Sequence, residues 1–162
     1  MQKNVKNTIN EKEKRIILKI LKKSTKKLDV EAICVYGSRI SGYAKEKSDY
    51  DLIVVINNYK EKIRYKYIFN KIDISAIFVD KNEIITDANN ASMGEFVIGR
   101  LINPYQSLLN ETFFKNIEIE YKKRIIKEII ISITKIIIKK NTTAFCKDIF
   151  IFISYFGAPA RS

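Results

Sequence analysis

The stretch VYGSRISGYAKEKSDYDLIVVI, residues 35–56, constrains this chain more than any other. Its apolar ends extend into two runs of strand type. VEAICVYG reads as a buried strand near Val30–Tyr36, broken by Gly37. DYDLIVVI reads as a second buried strand near Asp49–Ile56, ended by Asn57 and Asn58. Between them Ser38-Arg39-Ile40-Ser41 suits a short helical turn closed by Gly42, followed by the polar loop YAKEK. Asp49 and Asp51 are two apart on a strand, so their side chains leave from one face. A turn needs a glycine, but it does not need two carboxylates aimed the same way.

Phosphate chemistry explains this pattern. A Gly-Ser pair at a strand end offers backbone N–H groups and a hydroxyl to an anion. Gly37 would let the backbone approach closely. Arg39 would either add charge to the same phosphates or pair with a nearby carboxylate. Paired carboxylates repel in an apolar sheet, and a divalent cation resolves this: Mg²⁺ takes hard oxygen ligands and bridges phosphates to carboxylates. Asp73, charged among Ile72, Ile74 and Ile77, is the candidate third ligand. Three carboxylates can hold two metal ions about 3.5–4 Å apart. The chain has no histidine, which removes histidine acid–base chemistry, Ser-His-Asp triads and the common zinc sites.

Gly37-Ser38, ten residues, then Asp49-Tyr50-Asp51 forms a G-S-x10-D-x-D pattern, with Arg39, Ser41, Gly42 and Ser48 as further matches. It resembles the polymerase-beta-like nucleotidyltransferase superfamily, especially its small bacterial and archaeal antitoxin-like members. The resemblance implies that Gly37 and Ser38 bind a nucleoside triphosphate and that Asp49 and Asp51 bind Mg²⁺. Asp73 would complete the site, by context rather than by fixed spacing, with Asp80 a weaker substitute. It follows Asp51 by only 22 residues, which leaves little room for the helix often found between those strands. The implied reaction moves a nucleoside monophosphate from an NTP, with ATP the expected donor, to an acceptor hydroxyl, with release of pyrophosphate and two Mg²⁺ ions. The acceptor is left open among a protein tyrosine, an RNA 3′ end and a small molecule. A non-catalytic nucleotide- or RNA-binding or assembly module on the same fold is the alternative.

The rest of the chain supplies the frame. Thr8 and Glu11 resemble a capping box, and Ile9, Ile16, Ile17, Ile20, Leu21 and Leu28 recur at helical spacing, which predicts a helix over Asn10–Lys27. IRYKYIF alternates apolar and basic residues, so Ile63–Val79 reads as a hairpin, with a short helix over Tyr59–Phe69 the alternative. Two short helices follow, separated near Ser92-Met93-Gly94 and stopped before Pro104. A long helical pattern then carries Ile126, Ile129, Ile130, Ile133 and Ile137 on one face. The expectation is an α+β fold, a mixed sheet with flanking helices followed by a C-terminal helical segment. The nucleotidyltransferase core would occupy residues 1–80 and a mainly helical extension residues 81–162. Arg100 reads as a surface charge with the active site within possible reach.

Net charge is +12, which suits an anionic partner such as RNA. Only six of the 30 basic residues are arginine, so a general lysine bias explains the charge equally well. Cys34 and Cys146 make no disulfide framework and suit reduced thiols in the cytoplasm. No secretory signal is expected, and Ile129–Ile138 is too short and too interrupted to span a bilayer. The ending CKDIFIFISYFGAPARS is apolar and aromatic. It would fold back on the long helix, meet a protein partner or second domain, or continue into a longer chain.

Overall fold

The computed structural model describes residues 8–140; Cys146 and the CKDIFIFISYFGAPARS segment lie outside the described residues. The chain divides into two units, residues 1–121 and 122–162. The first holds helix α1 (Glu11–Ser24), strand β1 (Val30–Tyr36), the short helix α2 (Ser38–Ser41) and strand β2 (Tyr50–Ile56). Strands β3 (Ile63–Ile68) and β4 (Ile74–Asp80), helix α3 (Lys81–Asn90), a 3-10 turn (Ile98–Ile102) and strand β5 (Gln106–Leu109) follow. Helix α4 (Glu111–Lys140) begins in the first unit and supplies the described part of the second. The α+β class is as expected.

The sheet runs in the order β3-β4-β2-β1-β5. β2 and β4 are parallel and the other neighbours antiparallel, so the sheet is mixed. β3 and β4 form the expected antiparallel pair, with Tyr67 opposite Ser75. β5 was not expected: QSLL, after Pro104, gave no strand pattern, yet it pairs with β1. The boundary expected at residue 80 therefore falls inside the first unit, because β5 completes the sheet from beyond it.

Each sheet face has its own apolar layer. On one, Ile33, Val35, Leu52, Val54, Ile56, Ile74, Ala76 and Phe78 pack with Ile17, Ile20 and Leu21 of α1. The alternate residues Ala32, Cys34, Ile53, Val55, Ile77 and Val79 are also buried. α3 packs on β2 and β4, and Ile84, Val97, Ile98, Leu101, Phe114 and Tyr121 are buried as well. The capping box of α1 sits two residues later than expected. The Asn10 side chain accepts from Glu13 N–H at 2.9 Å, and the Asn10 N–H donates to Glu13 Oε2 at 2.9 Å. Among the described residues no helix is long and apolar enough to cross a membrane.

In the second unit, Ile126, Ile129, Ile130 and Ile133 on α4 are exposed among the described residues. Arg124 and Glu128 form an ion pair at 2.8 Å along that helix.

Candidate active site

β1 delivers the chain to Gly37, where φ is +77°, and α2 begins at the next residue. Across the sheet Tyr36 lies opposite Asp51, so the Gly-Ser turn and the end of the D-x-D segment are neighbours. The approach is tight. A Cβ added at Gly37 would lie 3.1 Å from Asp51 Cγ and closer still to Oδ2. Glycine is thus required twice, by the backbone angle and by the carboxylate against it.

The middle residue of D-Y-D anchors the strand. Tyr50 is buried on the α1 side of the sheet, and its hydroxyl donates to Glu13 Oε1 at 2.7 Å. Burial and this hydrogen bond push its pKa up to about 12. With Tyr50 committed to one face, strand alternation sends Asp49 and Asp51 to the other. Asp51 is half-buried, and its carboxyl is raised above the ordinary range, first by burial and then by the charge of Asp49. Arg100 and a hydrogen bond from Ser75 partly offset this.

Arg39 acts on the loop between the two halves of the motif. Its Nε donates to Ser48 O at 3.1 Å, and one terminal nitrogen reaches Ser48 O and Glu46 O. Its guanidinium also lies 4.5 Å from the Tyr50 ring centroid. Lys45 N–H donates to Ser48 Oγ at 2.9 Å, closing the loop from the other side. The fork of Arg39 thus holds the spacer that sets Gly-Ser against D-x-D.

Asp73 stands immediately before β4. Tyr50 N–H donates to Asp73 O at 2.9 Å, and the parallel register, which begins at Tyr50 opposite Ile74, would set Asp73 beside Asp49 if continued by one residue. Asp73 is exposed. Among the described residues no three acidic, histidine or cysteine side chains converge into a metal-holding group. Asp49 and Asp51 nevertheless fit a divalent ion, because their mutual repulsion on a half-buried strand end is only partly offset and favours a cation. Asp80 does not serve here. Its carboxylate caps α3 through Asn82 N–H and Glu83 N–H and also accepts from Tyr59 N–H at 2.7 Å. It lies five residues beyond Ser75 along β4, about 16 Å away.

Two groups join the site from outside the motif. Arg100, in the 3-10 turn, lies 5.2 Å from the Tyr36 ring centroid and 5.0 Å from that of Phe96. Its charge acts on Asp51, and its Nε is buried without a hydrogen-bond partner among the described residues. From β3, Tyr65 shares a short hydrogen bond with Ser75 Oγ.

The family described as polymerase beta, nucleotidyltransferase matches residues 16–98, which run from within α1 to the start of the 3-10 turn and include every motif residue above. No curated protein matches the chain.

Proposed function

We propose, from the premise that this chain belongs to the polymerase beta nucleotidyltransferase family, that it transfers a nucleoside monophosphate from an NTP to an acceptor hydroxyl. ATP is the expected donor and Mg²⁺ the expected metal. The observation that carries this reading is the packing of the Asp51 carboxylate against Gly37, which joins a phosphate-binding turn to a carboxylate pair.

Gly37 lets the Asp51 carboxylate pack against the turn, and the N–H groups that open α2 would donate to the triphosphate. Asp49 and Asp51 would hold the ion, and Ser75 steadies Asp51 by a hydrogen bond. When bound, Mg²⁺ would neutralise the triphosphate oxygens and polarise the α-phosphorus. Arg100 adds positive charge beside Asp51 and would help balance the charge of departing pyrophosphate. The acceptor oxygen attacks the α-phosphorus, and its bond to phosphorus forms as the bond to the β-phosphate's bridging oxygen breaks. Asp73 would take the acceptor proton. Its exposure and the register that, continued by one residue, sets it beside Asp49 support that role. Arg39 would act by holding the loop.

A second reading is a nucleotide- or RNA-binding module on the same scaffold. It is favoured by the lack of a three-carboxylate group among the described residues. Incubation with labelled ATP, GTP, CTP or UTP, Mg²⁺ and total RNA or lysate decides between them. Label transfer is expected from the native protein and at least about 100-fold less from Asp49→Ala plus Asp51→Ala. Transfer that survives the double substitution overturns the mechanism. Binding of NTP with no transfer to any acceptor supports the module.

A further inference from the structure

We infer that strand β3 is a docking strip for single-stranded nucleic acid, which it presents to the candidate active site. The placement of its acceptor end rests on the nucleotidyl-transfer reading; the binding does not.

β3 is an edge strand with two chemically distinct faces. Tyr65 and Tyr67 lie opposite Ile77 and Ser75 and so share the face of Asp51. Phe69 continues the row just past the strand. Tyr65 and Tyr67 meet edge to face at 5.1 Å between centroids, and Tyr67 and Phe69 stack at 6.2 Å with planes 14° apart. These rings are 46%, 55% and 80% exposed, an unusual outlay of aromatic surface for one short strand. Tyr67 is two strands from Asp51, about 10 Å across the sheet. Tyr67 is thus level with Asp51, Phe69 lies toward the Asp73 end, and Tyr65 is level with Ile53.

The opposite face is basic. Arg64 and Lys66 lie opposite Phe78 and Ala76, on the α1 side. They join Lys23, Lys26 and Lys27 in lining a cavity of about 380 Å³ whose only carboxylate, among the described residues, is Glu61. Arg64 is paired with Glu61 at 2.9 Å, so the excess charge of the groove comes from its four lysines. In proteins that bind single strands a basic groove tracks phosphates and exposed rings stack bases. A polymeric anion is favoured over a small acceptor because the cations and the rings lie on different faces of the strand. A chain wrapped over the edge reaches both. Lysine and arginine along the edge also oppose addition of another strand there.

Fluorescence anisotropy with a short labelled single-stranded RNA tests this, with single-stranded DNA and duplex RNA as further arms. The native protein should bind single strands, with RNA or DNA preference read from the two arms. Tyr67→Ala plus Phe69→Ala should weaken binding about tenfold or more. Tyr67→Trp plus Phe69→Trp should retain it. Arg64→Ala plus Lys66→Ala should weaken binding and lower the salt slope by about 1 for each phosphate left without its cation. Thermal melting of each variant separates lost binding from lost folding. Equal affinity in the native protein and both alanine pairs overturns the inference. So does preference for duplex, or a native dimer that the Tyr67→Ala plus Phe69→Ala variant dissociates. Asp51→Asn should abolish transfer yet keep RNA binding. Transfer to another acceptor without RNA binding sinks the docking strip alone, and RNA binding without transfer sinks only the enzymatic reading.

Discussion

At the residue scale, the site stores its cost in Asp51. Burial and the neighbouring charge of Asp49 raise its folded-state pKa above the ordinary value. Between the unfolded value, about 3.9, and the raised folded one, the native state binds more protons than the unfolded chain. Stability from this group is therefore fully present below about pH 3.9 and is lost as pH rises through the folded pKa. Asp51→Asn should raise the melting temperature above that window and flatten the dependence within it. The gain is at most about 1 kcal/mol, because the group is half-exposed and screened. Mg²⁺ should raise the melting temperature of the native protein and do little for the variant, because the proposed ion site needs both carboxylates. Gly37 carries the opposite sign. Gly37→Ala combines a left-handed backbone angle with a clash against Asp51 and should cost about 1–3 kcal/mol. Calorimetry reads that loss, and an NTP titration should show weakened binding. The pair Gly37 and Asp51 was legible in the sequence, because the G-S-x10-D-x-D spacing carries a family resemblance and strand alternation puts Asp49 and Asp51 on one face. Arg100 was read as a surface charge with the active site within reach; its charge acts on Asp51 from 49 positions away through tertiary packing, which no local pattern encodes.

At the scale of elements, legibility followed the strength of the apolar pattern. β1, β2 and β4 read directly from their runs, and β3 read from its period of two. β5 did not, because its four residues have no run of their own and are strand only by pairing with the free edge of β1. The start of α1 shifted because Thr8-x-x-Glu11 and Asn10-x-x-Glu13 satisfy the same capping rule, and only the second pair is bonded. The alternation in IRYKYIF was visible, but which half faced Asp51 needed the register with β4. Asp80 shows how an element can claim a candidate site residue. It follows a buried strand just as Asp73 precedes one, yet its three backbone hydrogen bonds join the end of β4, the start of α3 and the loop at Tyr59. Asp80→Ala should therefore cost about 1–2 kcal/mol in a denaturant titration, as lost caps do. It should leave nucleotidyl transfer near native once folding is accounted for. A loss of transfer as deep as that of Asp49→Ala would return Asp80 to the site.

At the scale of the whole molecule, the motif residues all lie before residue 80, but the sheet that aims them does not end there. Asp49 and Asp51 project from the face whose buried layer is Ala32, Cys34, Ile53, Val55, Ile77 and Val79. No residue before 80 among the described ones supplies a helix for that face; α3 packs on β2 and β4 from beyond it. β1 likewise gains its second neighbour only at Gln106–Leu109. A fragment of residues 1–80 would therefore expose six apolar side chains on one sheet face and leave β1 as an open edge. At about 25 cal/mol for each Å² of apolar surface returned to water, a layer of that size is comparable to the whole stability of a typical domain. The fragment should be soluble only with denaturant, lack a cooperative melt and show no NTP binding. A fragment of residues 1–121 keeps both layers and the whole sheet, and it should melt cooperatively and bind Mg²⁺ with NTP. Circular dichroism melts and an NTP titration on the two fragments check this. A cooperative melt with NTP binding from residues 1–80 would show that the site needs only its own motif, and that the second layer serves some other purpose.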